Sequence, residues 1–284
     1  MQSHRLRSIL LSAPLLTLYI AGLLVPLCIL ARYSLAANIN MRTSFVWTFA
    51  NYTKIFTGDL YLPLLMKSLG IGALVTIICL LVGYPAAWII ARANEKRRTM
   101  LLLLLLLPWW ASYIVRVFAF YTLFGNSGVL NKTAQLLGLS EETIGIFTFG
   151  LPALIVTELN LFLPLTVIPI YLSLEKLDWN LVLAARSLGA GPVYAFLRVV
   201  LPWSLPGVIA GAIFVFMPVA GTYVVPELVG GTSGIMIGRV IATQFGASSN
   251  WSFGSALAII LLVVLLLTLT LLTRVRSKFS GQQG

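Results

Sequence analysis

Charge is what this chain has least of. Only eight of its 284 residues are Asp or Glu, and charged residues of both signs make up 10% of it. It has one histidine and two cysteines. Each scarcity excludes something. A soluble globular chain is about a quarter charged. A chain that is 10% charged and 59% hydrophobic therefore reads as membrane-embedded. The single histidine, His4, rules out a His-rich metal centre. Cys28 and Cys79 each sit inside an apolar run and read as small packing residues, because a disulfide framework or a metal site would need more ligands. The pattern G-x-x-x-x-G-K-[ST] is absent, so the chain cannot hold ATP in the P-loop manner; Gly230-Gly-Thr-Ser-Gly234 resembles such a loop only superficially. An intramembrane enzyme would need a nucleophile–base pair, paired carboxylates or metal ligands at depth, and one deep carboxylate, Glu158, does not supply them.

What the chain has is long apolar runs. Crossing roughly 30 Å of hydrocarbon takes about 20 helical residues. Six stretches suffice: Ser8–Ala31, Pro63–Ala91, Met100–Phe124, Phe147–Leu174, Trp203–Val225 and Trp251–Thr273. The first is too long for a signal-peptide core and lacks a small-x-small cleavage site before Arg32, so it is read as an uncleaved span. Six spans put both termini on one side. Twelve of the 19 basic residues fall on that side, clustered at Arg92 to Arg98, at Lys176 to Arg198 and in the tail from Arg274. The positive-inside rule makes it the cytoplasmic side. The segment 281–284 reads as disordered.

Several details inside this frame bear on function. The second span carries Gly70, Gly72 and Gly83, spaced for close helix packing. The third reaches Pro108-Trp109-Trp110 and Tyr113, with Arg116 beyond. The fourth holds Glu158 near mid-depth, ahead of Phe162, Pro164 and Pro169. A charge at that depth is costly unless it faces a partner or water. In straight helices Arg116 and Glu158 fall at similar depths; they either pair with each other or line a pathway. Tyr223 lies at the outer end of the fifth span, and Glu227 just beyond it, near the outer mouth. Outside the spans, 33–62 reads as a structured loop or interfacial helix, Asn131–Leu139 as a short helix ended by Gly138, and Ile235–Gln244 as a re-entrant or interfacial helix.

The stretch from Trp179 to Pro202 is unlike the rest. It lies between two spans, carries Arg186 and Arg198, and contains Ala184, Ala185, Ser187, Gly189, Ala190 and Gly191. A short helix from about Leu181 to Leu188, stopped by Gly189, would present a smooth face to another protein. The segment Leu183-Ala-Ala-Arg-Ser-Leu-Gly189, followed after nine residues by Val199-Val-Leu-Pro202, resembles the EAA loop of ABC importer permeases: Glu-Ala-Ala, three residues, Gly, nine residues, Ile-x-Leu-Pro. Leu183 stands where that pattern has glutamate, and Val199 where it has isoleucine. Tyr84-Pro-Ala-Ala-Trp88, Glu175-Lys-Leu-Asp178, Pro206-Gly-Val-Ile-Ala210, Pro226-Glu-Leu-Val-Gly-Gly231 and Trp251-Ser-Phe-Gly254 resemble the spermidine/putrescine subfamily.

The resemblance implies an all-α integral membrane protein of the type I ABC importer permease fold. It implies a single permease domain over 1–284, with a first helix about 8–31, core helices about 63–273 and a coupling loop at 175–202. It places the chain in the bacterial inner membrane, with both termini cytoplasmic. The implied partners are a second, homologous permease subunit (a heterodimer), two cytoplasmic ATPase subunits and a periplasmic binding protein, with no nucleic acid. ATP and Mg would sit on the ATPases, and this chain would bind no cofactor and catalyse nothing. Ala184, Ala185, Arg186 and Gly189 would dock into an ATPase cleft. Trp110, Tyr113, Arg116, Glu158, Phe162, Tyr223 and Glu227 are the candidate pathway residues. The implied solute is a polyamine or related amine, for which Glu158 and Glu227 offer charge and the aromatics offer cation–π contacts; an amino-acid-like solute is the alternative. A stand-alone secondary transporter would show inverted repeats or an intramembrane relay, and neither is evident.

Overall fold

The computed structural model describes residues 2–39, 42–140 and 142–280, so the tail 281–284 lies outside it. The chain opens with α1 (Gln2–Ser34), an antiparallel hairpin of β1 (Ala36–Ile39) and β2 (Arg42–Trp47), and α2 (Ala50–Thr57). Next come α3 (Tyr61–Arg92), α4 (Glu95–Leu106), α5 (Tyr113–Leu123) and α6 (Val129–Leu136). Then follow α7 (Leu151–Glu175), α8 (Trp179–Ser187) and α9 (Pro192–Ala195), which continues through a π turn at Phe196–Val200 into α10 (Leu201–Gly221). The chain closes with α11 (Val224–Leu228), α12 (Ile237–Phe245) and α13 (Trp251–Ser280).

Among the described residues, five stretches are long and apolar enough to cross a membrane: Thr17–Ser34, Tyr61–Arg92, Leu151–Glu175, Pro192–Gly221 and Trp251–Arg274. The sixth is α4 and the turn after it, together with α5, and it is bent by 86°. The expected third span, Met100–Phe124, is therefore not one continuous helix. Pro108 has no N–H to donate, so the helix tightens into a 3-10 turn at Leu107–Trp110 and leaves helical geometry at Ala111. Ser112 then starts α5 afresh, its hydroxyl accepting the Val115 N–H at 3.3 Å.

The fifth span begins at Pro192, eleven residues before the expected Trp203, because proline fits the first turn of a helix and Gly191 is extended before it. The loop that precedes it therefore ends near 191, not 202. The fourth span starts at Leu151, and Phe147 belongs to a separate 3-10 turn. The short helices expected near 131–139 and 235–244 form as α6 and α12. Among the described residues, the hairpin is the one departure from an all-helical chain.

Contacts divide the chain into two units. The first comprises 1–62 and 240–263, the second 63–239 and 264–284. In the first, Arg32 at the end of α1 lies over the Phe45 and Trp47 rings at 4.9 and 4.7 Å and donates to the Phe45 carbonyl at 2.8 Å. Asn51 of α2 donates to the carbonyls of Ser34 and Ala36, both at 2.9 Å, and so fastens the hairpin to the helix end.

The second unit is built around the α7–α10 pair. Glycines let the two backbones touch. A Cβ at Gly207 would collide with the Pro169 carbonyl oxygen, and one at Gly211 would lie 3.2 Å from that of Thr166. On α3, Gly83 meets the Thr166 methyl and Gly72 meets Ala220 in the same way, whereas Gly70 faces open space. Small residues at these crossings replace the hydrophobic drive that water would otherwise supply.

Candidate functional site

Two places in the second unit gather the candidate residues: an interior group on α5, α7 and the end of α10, and the α8 loop.

Glu158 lies on α7, one turn N-terminal to Leu161 and Phe162. It is 0% exposed, and neither carboxylate oxygen makes a hydrogen bond of good geometry, although the Thr222 hydroxyl lies close enough to interact with it. Its neighbours are the Tyr113 hydroxyl from the first turn of α5, the Cys79 thiol from α3 and the Thr222 hydroxyl just after α10. Thr222 reaches this place because α10 stops at Gly221 and the backbone turns extended there.

Arg116 sits one turn beyond Tyr113. It does not pair with Glu158, which settles that alternative against an ion pair. The bend between α4 and α5 is the reason: depths estimated for a straight helix do not apply. The Arg116 guanidinium instead stands 5.2 Å over the Trp109 ring, with Nε and Nη1 buried and unpartnered. Trp109 in turn donates its indole N–H to the Leu161 carbonyl at 3.1 Å, so the bend is pinned to α7. A buried carboxylate and a partly buried guanidinium, both under-satisfied, therefore lie near Tyr113. Such groups are stable only if charge or polar contacts reach them at some stage.

The other pathway candidates separate from this group. Trp110 is 87% exposed, and Tyr223 also faces outward. Phe162 is half-buried and packs on the apolar cluster around Leu161 and Val215. Glu227 forms an ion pair with Arg239 at 2.6 Å, which offsets the charge it could offer a cation. Sequence reasoning missed Thr222 and Cys79. Thr222 had a signal, the helix-ending Gly221-Thr222 step; Cys79 had none.

The α8 loop is ordered by local capping. Asp178 accepts the Asn180 N–H at 3.0 Å at the helix start. At its end, Gly189 donates to the Arg186 carbonyl at 3.0 Å and Ala190 to that of Ala185 at 3.1 Å, with Gly189 at φ +88°. This is the Schellman arrangement, which needs a left-handed residue at Gly189. A Cβ there would meet nothing, so this glycine serves conformation and not close approach. Trp179 and Val182 turn inward onto the cluster of Ala87, Ile90, Leu174 and Val200. Ala184 and Arg186 are exposed and Ala185 is half-buried. Leu181, Leu183 and Leu188 are also exposed, Leu188 at 90%. Leu183, where the family pattern has glutamate, thus puts exposed apolar surface beside Asn180, Arg186 and Ser187.

Residues 82–278 match the family described as binding-protein-dependent transport system inner membrane component. The chain is 38% identical over 220 residues to the spermidine/putrescine transport system permease protein PotB of Escherichia coli K12, covering 78% of this chain and 79% of that one. It is 37% identical over 224 residues to the protein of the same name from Haemophilus influenzae, covering 79% and 78%. It is 32% identical over 240 residues to the E. coli inner membrane ABC transporter permease protein YdcU, covering 80% and 75%. Among solved structures, it superposes on a chain of a bacterial ABC transporter involved in alginate import with a TM-score of 0.74 at 16% identity, over 96% of both chains.

Proposed function

The chain belongs to the family of binding-protein-dependent transport system inner membrane components, and from that membership we propose that it forms part of the pathway by which an ATP-driven importer takes up spermidine, putrescine or a related small amine. It is a multi-pass inner-membrane protein and a transport subunit, not an enzyme. The observation that carries the solute class is the 38% identity over 220 residues to a spermidine/putrescine permease.

In this reading the termini and the α8 loop face the cytoplasm, as the distribution of basic residues favours. The chain pairs with a second, homologous permease. Two ATPase subunits bind ATP and Mg and seat on α8 through Ala184, Ala185 and Arg186, with Leu183 and Leu188 adding apolar contact. Gly189 holds the helix end in shape. A periplasmic binding protein delivers the solute to the opposite face. Of the pathway candidates, Glu158 and Tyr113 have the chemistry to receive an ammonium group: a carboxylate for charge, and a hydroxyl and ring beside it. Glu227, tied to Arg239, is a weaker attractor.

The test is uptake of labelled spermidine and putrescine into proteoliposomes carrying this chain with its partner permease, ATPase and loaded binding protein. ATP-dependent uptake, lost when this chain is omitted, supports the reading. No amine uptake, with uptake of an amino-acid-like solute under the same conditions, overturns the solute class and leaves the importer standing.

A further inference from the structure

The exposed α8 helix can pass motion inward only through side chains that touch the rest of the unit. It has few. Trp179 and Val182 join the inner cluster, while most of the other α8 side chains are exposed. Trp179 meets Trp88, on the last turns of α3, edge to face at 5.3 Å and 86°. Arg92, which closes α3, places its guanidinium 5.9 Å from the Trp88 ring and 5.3 Å from the Trp179 ring. The same Trp88 touches Phe196 at 5.8 Å, and Phe196 begins the π turn that leads into α10. Phe196 also meets Tyr84 edge to face at 5.6 Å, and the Tyr84 and Ser204 hydroxyls share a hydrogen bond at 2.8 Å. Trp88 thus touches both the entry and the exit of the α8 loop.

Two physical points make this more than packing. An indole is a wide, rigid plate beyond its two side-chain torsions, so it carries a push across its full width, where a long chain with more torsions, such as Met or Lys, would absorb it. A π turn is a common site of local adjustment within a helix, and this one lies where the loop joins α10. α10 in turn is fitted against α7 through Gly207 and Gly211, and α7 carries Glu158.

We propose that Trp88 is a positioning residue that converts displacement of α8 into movement of α3 and α10, with Arg92 holding the Trp88 and Trp179 rings together. The inference rests on the reading that an ATPase seats on α8. Contact alone does not demonstrate coupling, so the deciding measurement is coupling itself. In the reconstituted importer, Trp88→Ala lowers solute taken up per ATP hydrolysed by about tenfold, within the usual range of coupling effects. The ATPase still co-purifies at the unaltered ratio. Trp88→Phe, which keeps a ring, recovers most of the loss, and Arg92→Gln gives an intermediate ratio. If Trp88→Ala yields too little protein, the Phe and Gln variants carry the test, since neither removes much volume from the cluster. Uptake per ATP at the unaltered ratio in Trp88→Ala, or in both milder variants where it cannot be made, overturns the proposal. The docking premise is tested separately with Leu188→Asp on the exposed face. If that variant keeps full ATPase co-purification, the premise fails whatever Trp88 does, and the proposal falls with it.

Discussion

The α7–α10 contact and the α8 loop are both marked by glycines, and the glycines do opposite things. At Gly207 and Gly211 the missing Cβ is the point: a neighbouring backbone occupies its space. At Gly189 the space is empty and the backbone angle is the point, φ +88°. One region is closed by contact, and the other is shaped for contact with something else. Identical residue types therefore report packing in the first region and conformation in the second. Substitutions can separate the two meanings.

The largest effect is expected at Gly207. Gly207→Ala drives a methyl group into the Pro169 carbonyl, where neither backbone can yield without parting the two helices. Overpacking of this kind costs about 1–3 kcal/mol, and a backbone obstacle puts it at the upper end. The yield of monodisperse protein in detergent and its melting temperature should both fall. Gly211→Ala, with 3.2 Å to the nearest backbone oxygen, should be milder. An unchanged melting temperature for Gly207→Ala would remove the contrast between the two regions.

Next comes Glu158, inside the same closed region. A buried carboxylate without hydrogen bonds of good geometry is a cost to the fold. Glu158→Gln should therefore leave stability unchanged or raise it, while uptake of a cationic solute falls about tenfold, equivalent to ~1.4 kcal/mol. A residue retained only for packing would show the reverse pattern, with stability lost and transport kept. Melting temperature and initial uptake rate, measured on one preparation, decide between them.

Gly189 sharpens the comparison from the other side. Gly189→Ala strains a left-handed position by about 1 kcal/mol, enough to fray the end of α8 without unfolding the protein. ATPase co-purification should drop a few-fold. Gly189→Asn, which tolerates that backbone region, should bind nearly as well as glycine although its side chain is larger. If Asn is as damaging as Ala, the position is limited by space in a partner's cleft and not by its own φ.

Much of this was legible in the sequence. Span number, the α8 helix and its glycine stop follow from runs of apolar residues and from local capping, both encoded within a few residues. Pro108 alone does not say whether the third span kinks slightly or bends by 86°, because that depends on a tertiary anchor, here the hydrogen bond from Trp109 to Leu161. The Arg116–Glu158 alternative stayed open for the same reason: depth along an imagined straight helix fixes neither direction nor neighbour. The start of the fifth span is hidden because its first eleven residues include Arg198 and two prolines, Pro192 and Pro202, which interrupt the apolar signal. The meeting of Trp88, Trp179 and Phe196 joins residues about 90 or more positions apart, and no local pattern marks it.

The smallest effect is expected where the comparison has least hold, at the Glu227–Arg239 pair. Both side chains are partly exposed, at 54% and 30%, and exposed ion pairs contribute about 0–1 kcal/mol. Arg239→Gln removes the pair and one cation from the same surface, so it both frees Glu227 and lowers the positive charge there. For a cationic solute the freed carboxylate adds attraction and the lost arginine removes repulsion, so both changes act in one direction. Uptake at low ionic strength should rise by less than about threefold and return to the unaltered rate at high salt, where screening erases steering. A fall in uptake would mean that Arg239 does more than hold Glu227. Its second contact, to the Gly231 carbonyl at 3.4 Å, would then be the place to look, because the backbone of Gly231 packs directly against that of Phe149 and Gly150 at the start of α7.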